Sequence, residues 1–195
     1  MDRVSDEIPP DSKQAWRRLA IDRRRRRTGS EIDAAREAIA GHLALHLAGS
    51  AALVAGYLPL PSEPMHPGLA VMLQQAGTRV LLPLTRPDAP VDWAEYSDDV
   101  RRGRFGIDEP TGPPLGSDAV KLADAVLVPA LLVDARGVRL GRGGGHYDRT
   151  LPGLPGELIA VVFDDEWVLE LPAEEHDVPM TAVVTPSGGV RQFRR

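Results

Sequence analysis

Residues Arg139-Leu-Gly-Arg-Gly-Gly-Gly-His-Tyr-Asp-Arg149 place four glycines, three arginines and one aspartate in eleven positions. Glycine lets consecutive backbone N–H groups turn into one concavity without side chains in the way, which makes an anion nest. Arginine adds full charge and a fork of donors matched to phosphate oxygens, and an aspartate such as Asp148 can hold a magnesium ion that screens those phosphates. The chemistry these residue types favour is therefore recognition of a nucleoside triphosphate. The segment matches neither common nucleotide signature: there is no Gly-x-x-x-x-Gly-Lys-Ser/Thr, and the dinucleotide spacing would need glycine where His146 stands. Taken alone, such a cluster also fits a mobile surface loop, so the elements on either side decide its meaning.

Those elements read as alternating helices and strands. The apolar run Ala125–Val133 predicts a buried strand leading into the loop, and a helix is expected to begin near Tyr147-Asp148, where its dipole favours anions. Upstream, Asp11–Arg27 lacks Gly and Pro and predicts a basic helix, with Lys13 and Arg17 one turn apart on one face. The run Arg23–Arg27 reads as a solvated charged face. Ser30 with Asp33 suggests the cap of a second helix carrying Ile32, Ala35, Ile39, Leu43 and Leu47. His42 and His46 lie four apart on it, but they have no third ligand and read as structural.

Strands are expected at Ala51–Leu58, Arg79–Leu84, Leu158–Phe163 and Ala182–Thr185, with a short helix over Leu69–Gln75. Residues 85–120 read as loops with one short strand at Val91–Tyr96. The pattern implies a single α/β domain over residues 11–195, three-layered, with a mainly parallel sheet and helices on both faces. Residues 1–10 read as a disordered lead-in.

Composition narrows the function classes. The 195 residues carry a formal net charge of -5, no cysteine and 5% aromatic residues. Thiol chemistry is excluded, and a reducing, cytoplasmic setting is expected. Neither a signal-type apolar run nor a membrane span is evident. Negative charge and few aromatics argue against nucleic acid as a partner, leaving a small anionic ligand.

Val128-Pro-Ala-Leu-Leu-Val-Asp134, Gly137, Arg139-Leu-Gly-Arg-Gly-Gly-Gly145 and Tyr147-Asp-Arg149 together resemble the signature of the 5-formyltetrahydrofolate cyclo-ligase family. Lys13–Arg17, Tyr57–Glu63, Phe105–Pro110 and His176–Met180 extend the resemblance over nearly the whole chain. It implies ATP- and magnesium-dependent closure of 5-formyltetrahydrofolate to 5,10-methenyltetrahydrofolate, with ADP and phosphate released through a phosphorylated formyl intermediate. By the same resemblance, ATP meets Lys13, Gln14, Ala15, Trp16 and Arg17, and the loop residues Arg139, Leu140, Gly141, Arg142, Gly143, Gly144, Gly145, His146 and Tyr147. Arg142 is the implied catalytic phosphate ligand.

The folate side falls on Leu58 and Glu63, with Arg142 to His146 shared, and Tyr57 can pack on the same ring. The metal falls on Asp148 and Asp177. His146 replaces a usual tyrosine, and Thr181 stands where aspartate is common. A monomer or weak homo-oligomer is expected. The alternatives are a non-catalytic nucleotide or folate binder, a nucleic-acid binder using Arg23–Arg27, or another sugar-phosphate or coenzyme A enzyme on a similar fold.

Overall fold

The computed structural model describes residues 12–84, 89–97, 99–103, 106 and 108–193. The expected lead-in at 1–10, together with Asp11, Phe105 and Ile107 of the expected segments, lies outside the described residues. Helix α1 (Lys13–Arg26) starts at Ser12, whose hydroxyl accepts the Ala15 N–H at 3.2 Å. Helix α2 (Gly29–Leu47) starts two residues earlier than expected, since its cap is Thr28 rather than Ser30. Thr28 Oγ1 accepts the Glu31 N–H at 3.3 Å while the Glu31 carboxylate accepts the Thr28 N–H at 2.7 Å. Glutamate's longer chain completes this reciprocal box.

After α2 come β1 (Leu53–Ala55), helix α3 (Leu69–Gln75), β2 (Arg79–Leu84), β3 (Asp92–Glu95), β4 (Val100–Arg102) and β5 (Asp108–Pro110). They are followed by β6 (Ala125–Pro129), β7 (Leu132–Asp134), β8 (Arg139–Leu140), helix α4 (His146–Thr150), β9 (Glu157–Val161), β10 (Trp167–Val168), β11 (Ala182–Thr185) and β12 (Gly189–Gln192). Among the described residues the main sheet has seven strands in the order β12-β11-β9-β6-β1-β2-β3. The neighbours β11-β9-β6-β1-β2 are parallel, and β12 and β3 close the two edges antiparallel. Chain order runs from β1 outward to β2 on one side and to β6 on the other. A crevice is expected at such a switch point, outside the carboxyl ends of the strands.

Alternation along the strands feeds two cores. Ala125 and Leu127 of β6 face α2 and α3, joining Ile39, Leu43, Leu47, Leu69 and Leu73. Val126 and Val128 face the opposite side, where Trp93, Val120, Leu151 and Met180 cover the sheet. The three-layer α/β arrangement holds, but the second face is covered by a 3-10 turn at Ser117–Leu122 and the single-turn helix α4 rather than by long helices. A third cluster joins Trp16 and Ala20 of α1 to Leu131, Leu132, Val138, Leu140 and Leu171.

Three strand expectations need correction: residues 85–120 carry β3, β4 and β5 rather than one short strand, and two other segments differ in extent. The segment Ala51–Leu58 forms only three residues of ladder, because Asp124 takes the Ala52 and Leu53 N–H groups at 2.7 and 3.0 Å and the chain then leaves toward its prolines. Ala125–Val133 is two strands. Pro129 has no N–H to continue the ladder, and the chain crosses into a three-stranded sheet ordered β10-β7-β8.

Asp134 fixes the turn that follows. Its fully buried carboxylate accepts the N–H groups of Arg136, Val138 and Leu171 at 2.8, 2.9 and 3.1 Å, and the Arg136 guanidinium at 2.8 Å. Removing it strands three backbone donors, so Asp134→Ala is predicted to cost about 3–5 kcal/mol in urea unfolding. A loss under about 1 kcal/mol would show that water replaces the carboxylate without penalty.

Candidate active site

The crevice opens where the switch point requires it. Tyr57 and Leu58 follow β1, Pro83 lies in β2, and Pro129, Ala130 and Leu131 mark the break after β6; all line a cavity of about 370 Å³. The facing wall is the glycine-rich loop from Gly141 to Gly145, continued by His146, Tyr147 and Asp148. Apolar residues thus line one part of the cavity and a glycine-rich loop with Arg142 another, a combination suited to a small molecule with an anionic end.

The loop is held from behind. Arg17 Nε donates to the Gly141 carbonyl at 3.0 Å. Gly143 and Gly145 have φ of 96° and 68°, the left-handed region, and a Cβ on Gly143 would stand 3.4 Å from the Arg17 guanidinium carbon. Helix α4 is five residues long, a single turn that carries little of the expected helix dipole. Arg139 is buried and committed to the protein: it pairs with Asp148 and donates to the Pro129 carbonyl at 3.3 Å. Burial pulls its pKa below the ordinary guanidinium value, against the opposing pull of Asp148. Arg142 is the opposite case, 44% exposed, with Nε 3.6 Å from Glu63 Oε1.

Glu63 is buried in the cavity wall at 6% exposure, with Oε2 accepting the Leu60 N–H at 2.9 Å. Burial first, and then the Glu63 charge, raise the pKa of Tyr57 well above the ordinary phenol value, so its hydroxyl stays protonated. Burial does the same for Tyr147.

The solvated reading of Arg23–Arg27 holds for Arg25, 76% exposed, and fails for Arg24, which lines the cavity at 2% exposure. Burial works against the Arg24 charge, but hydrogen bonds to Glu166 at 2.7 and 2.8 Å outweigh it and raise its pKa. Arg27 lies over the Phe163 ring at 3.9 Å and pairs with Asp165. The spacing 13, 17, 20, 24 along one helix face is the sequence signal that would have found Arg24.

Other expected site residues separate from the cavity wall. Trp16 and Leu140 are buried together in the third core cluster, Gln14 is exposed, and Ala15 is half-buried beside its cap. Lys13 Nζ lies 2.8 Å from Asp177 and 3.1 Å from Glu174. Glu174, His176 and Asp177 have metal-ligand chemistry, but the Lys13 ammonium already supplies the positive charge there. Asp148 and Asp177 are thus each paired with a cation, and Arg139 feels the charge of both. Thr181 ties β11 to β9, its hydroxyl accepting the Leu158 N–H at 2.8 Å.

A parallel sheet whose switch-point crevice joins an apolar slot to a glycine-rich anion loop defines the class, an α/β domain built to hold small ligands. The pattern of the 5-formyltetrahydrofolate cyclo-ligase family matches residues 10–186, so the chain belongs to that family and is a ligase. A 5-formyltetrahydrofolate cyclo-ligase of Mycolicibacterium smegmatis is 42% identical over 196 residues, covering 96% of this chain and all of the relative. One of Escherichia coli is 33% identical over 141 residues, 69% of this chain and 78% of the relative. In fold, the chain is similar to the 5,10-methenyltetrahydrofolate synthetase structure of Aquifex aeolicus, with a TM-score of 0.73 at 23% identity over 94% of this chain and 93% of the other. It is similarly close to that of Mycoplasma pneumoniae, at 0.72 and 19% over 88% and 97%.

The Lys13–Asp177 pair has a readable pH signature. Burial opposes the Asp177 charge, but hydrogen bonds from Lys13 and the Glu174 N–H outweigh it and depress the pKa, so the stabilisation is present above the unfolded value of about 3.9 and lost as pH falls through the folded one. Burial likewise opposes the Lys13 charge, yet Asp177 and Glu174 raise its pKa, and that contribution disappears only as strongly alkaline pH passes the folded value. Asp177→Asn is predicted to be less stable than the parent at neutral pH, with the gap closing below about pH 4 in thermal unfolding. A gap that persists unchanged into strong acid would show that the pair is not the source.

Proposed function

We propose that the chain closes 5-formyltetrahydrofolate to 5,10-methenyltetrahydrofolate in the cytoplasm, coupled to conversion of ATP to ADP and phosphate. The observation that carries this reading is the meeting of Arg142, exposed on the anion loop, with the buried acceptor Glu63 across an apolar slot. A formyl carbon on N5 is amide-like and a poor electrophile, so ring closure by N10 needs its oxygen converted into a leaving group.

In this reading the formyl oxygen attacks the γ-phosphorus of ATP and ADP leaves. N10 then closes on the resulting iminium phosphate, losing its proton, and phosphate departs. Leu58 and Tyr57 flank the pterin, while Glu63 accepts its N–H groups. The N–H groups of Gly143 to Gly145 and Arg142 hold the transferring phosphoryl group in line and stabilise its charge. Arg17 acts behind them by fixing the Gly141 carbonyl.

The donor set suits magnesium in part. Asp148 lines the cavity with a carboxylate 34% exposed and one oxygen given to Arg139, which leaves it free to join a metal carried largely by nucleotide and water. Asp177 can contribute only if Lys13 turns from it toward phosphate. Bound there, magnesium would screen the phosphate charge.

The test mixes the purified chain with 5-formyltetrahydrofolate, magnesium and ATP and follows methenyl absorbance and ADP together. Equal amounts of both are predicted, and Arg142→Ala should lower kcat by about 10²–10³ with an unchanged unfolding midpoint. Methenyl product without ADP would overturn the coupled reaction, and activity within about twofold would remove Arg142 from its role.

A further inference from the structure

We infer that Arg24 and Glu63 form a donor–acceptor couple that reads the amide edge of the pterin ring, making the pocket selective for 4-oxopteridines over 2,4-diaminopteridines. The inference rests on the folate reading above and adds to it a residue that the charge pattern assigned to solvent.

Three of the five Arg24 N–H groups are satisfied by protein. Nε and Nη2 donate to the two Glu166 oxygens at 2.7 and 2.8 Å, and Nη2 also donates to the Ala130 carbonyl at 2.6 Å. Nη1 is buried and has no hydrogen-bond partner among the described residues. Its neighbour in charge, Glu63 Oε1, is 4.0 Å away, beyond hydrogen-bond range. A charged donor left unpaired inside a protein is costly and rare enough to require an explanation. Here the residue lines the cavity, and the rest of its guanidinium is locked by Glu166, Ala130 and the Phe163 ring 5.7 Å away.

Glu63 is the mirror case. Oε2 is taken by the Leu60 N–H, while Oε1 has the guanidinium nitrogens of Arg142 and Arg24 only at 3.6 and 4.0 Å. A fixed donor therefore stands beside an open acceptor in a slot also lined by Leu58, Pro83 and Val91. The flat group complementary to that couple presents a carbonyl next to an N–H. A 4-oxopteridine does so, with O4 toward Arg24 Nη1 and N3–H toward Glu63 Oε1. A 4-amino ring reverses both positions, setting donor against donor and ring nitrogen against carboxylate. Such unpaired polar contacts discriminate far more strongly than shape.

Calorimetry compares 5-formyltetrahydrofolate with its 4-amino-4-deoxy counterpart, two ligands of one shape, so a merely structural role for Arg24 leaves their affinity ratio untouched. The parent chain is expected to prefer the 4-oxo ligand by about a hundredfold. Arg24→Lys keeps a cation for Glu166 but loses the fork, and should bring the ratio to within about fivefold. If that variant does not fold, Arg24→Met combined with Glu166→Gln removes both buried charges and permits the same comparison. An unchanged ratio in a folded variant, or equal binding of the two ligands by the parent, overturns the inference while leaving the cyclo-ligase reading intact. Failure of the parent to bind either ligand would overturn both.

Discussion

The crevice depends on how α1 buries its cations. Lys13, Arg17 and Arg24 share a face with Ala20, and each reaches a different part of the chain: Asp177, the Gly141 carbonyl, and Glu166 with the Ala130 carbonyl. A buried charge cannot be left without partners, so each cation dictates the position of the group it meets. Trp16 and Ala20 supply the apolar footing against the small sheet. The helix thereby pins four otherwise independent segments: the loop after β8, the break after β6, the turn before β10 and the segment between β10 and β11 that carries Asp177. A peripheral helix of this kind does more for the site than for the main core, which α2 and α3 fill without it.

With those segments fixed, the sheet and the loop supply what the chemistry needs. The reversal of strand order between β1 and β6 leaves an opening with apolar walls, and the glycine loop sets backbone donors along one side. Because Arg17 braces the loop from behind through the Gly141 carbonyl, the loop is held in place before a ligand arrives. Preorganised dipoles of this sort stabilise developing charge without reorganising during the reaction. The absence of cysteine from the chain is consistent with chemistry that requires positioning and charge rather than a thiol nucleophile.

Much of this was legible in the sequence because it is local. The strands at 79–84 and 182–185, the helix at 69–75 and the loop at 139–145 follow from apolar runs bounded by turn formers. Most of what escaped was non-local, the exception being the cap of α2. The break at Pro129 looks like one apolar run until a second sheet competes for its far half. Ser30 and Asp33 have the chemistry of a cap, but Thr28 with the longer Glu31 takes the position. Arg24 sits inside a run of basic residues whose neighbour Arg25 is solvated, and before the Glu166 partner 142 positions away is seen, only its place on the helix face of Lys13, Arg17 and Ala20 sets the two apart. Asp148 and Asp177 were grouped as acids, and in the fold each first answers a cation.

The central claim is that the crevice brings a formyl oxygen against a phosphoryl group held by the loop, so that this oxygen leaves as part of phosphate. Tracing it is the most direct measurement: 5-formyltetrahydrofolate carrying ¹⁸O in the formyl group is turned over with ATP, and the inorganic phosphate is analysed by mass. The account predicts one labelled oxygen in each phosphate released. Label recovered in water, with phosphate unlabelled, would contradict it.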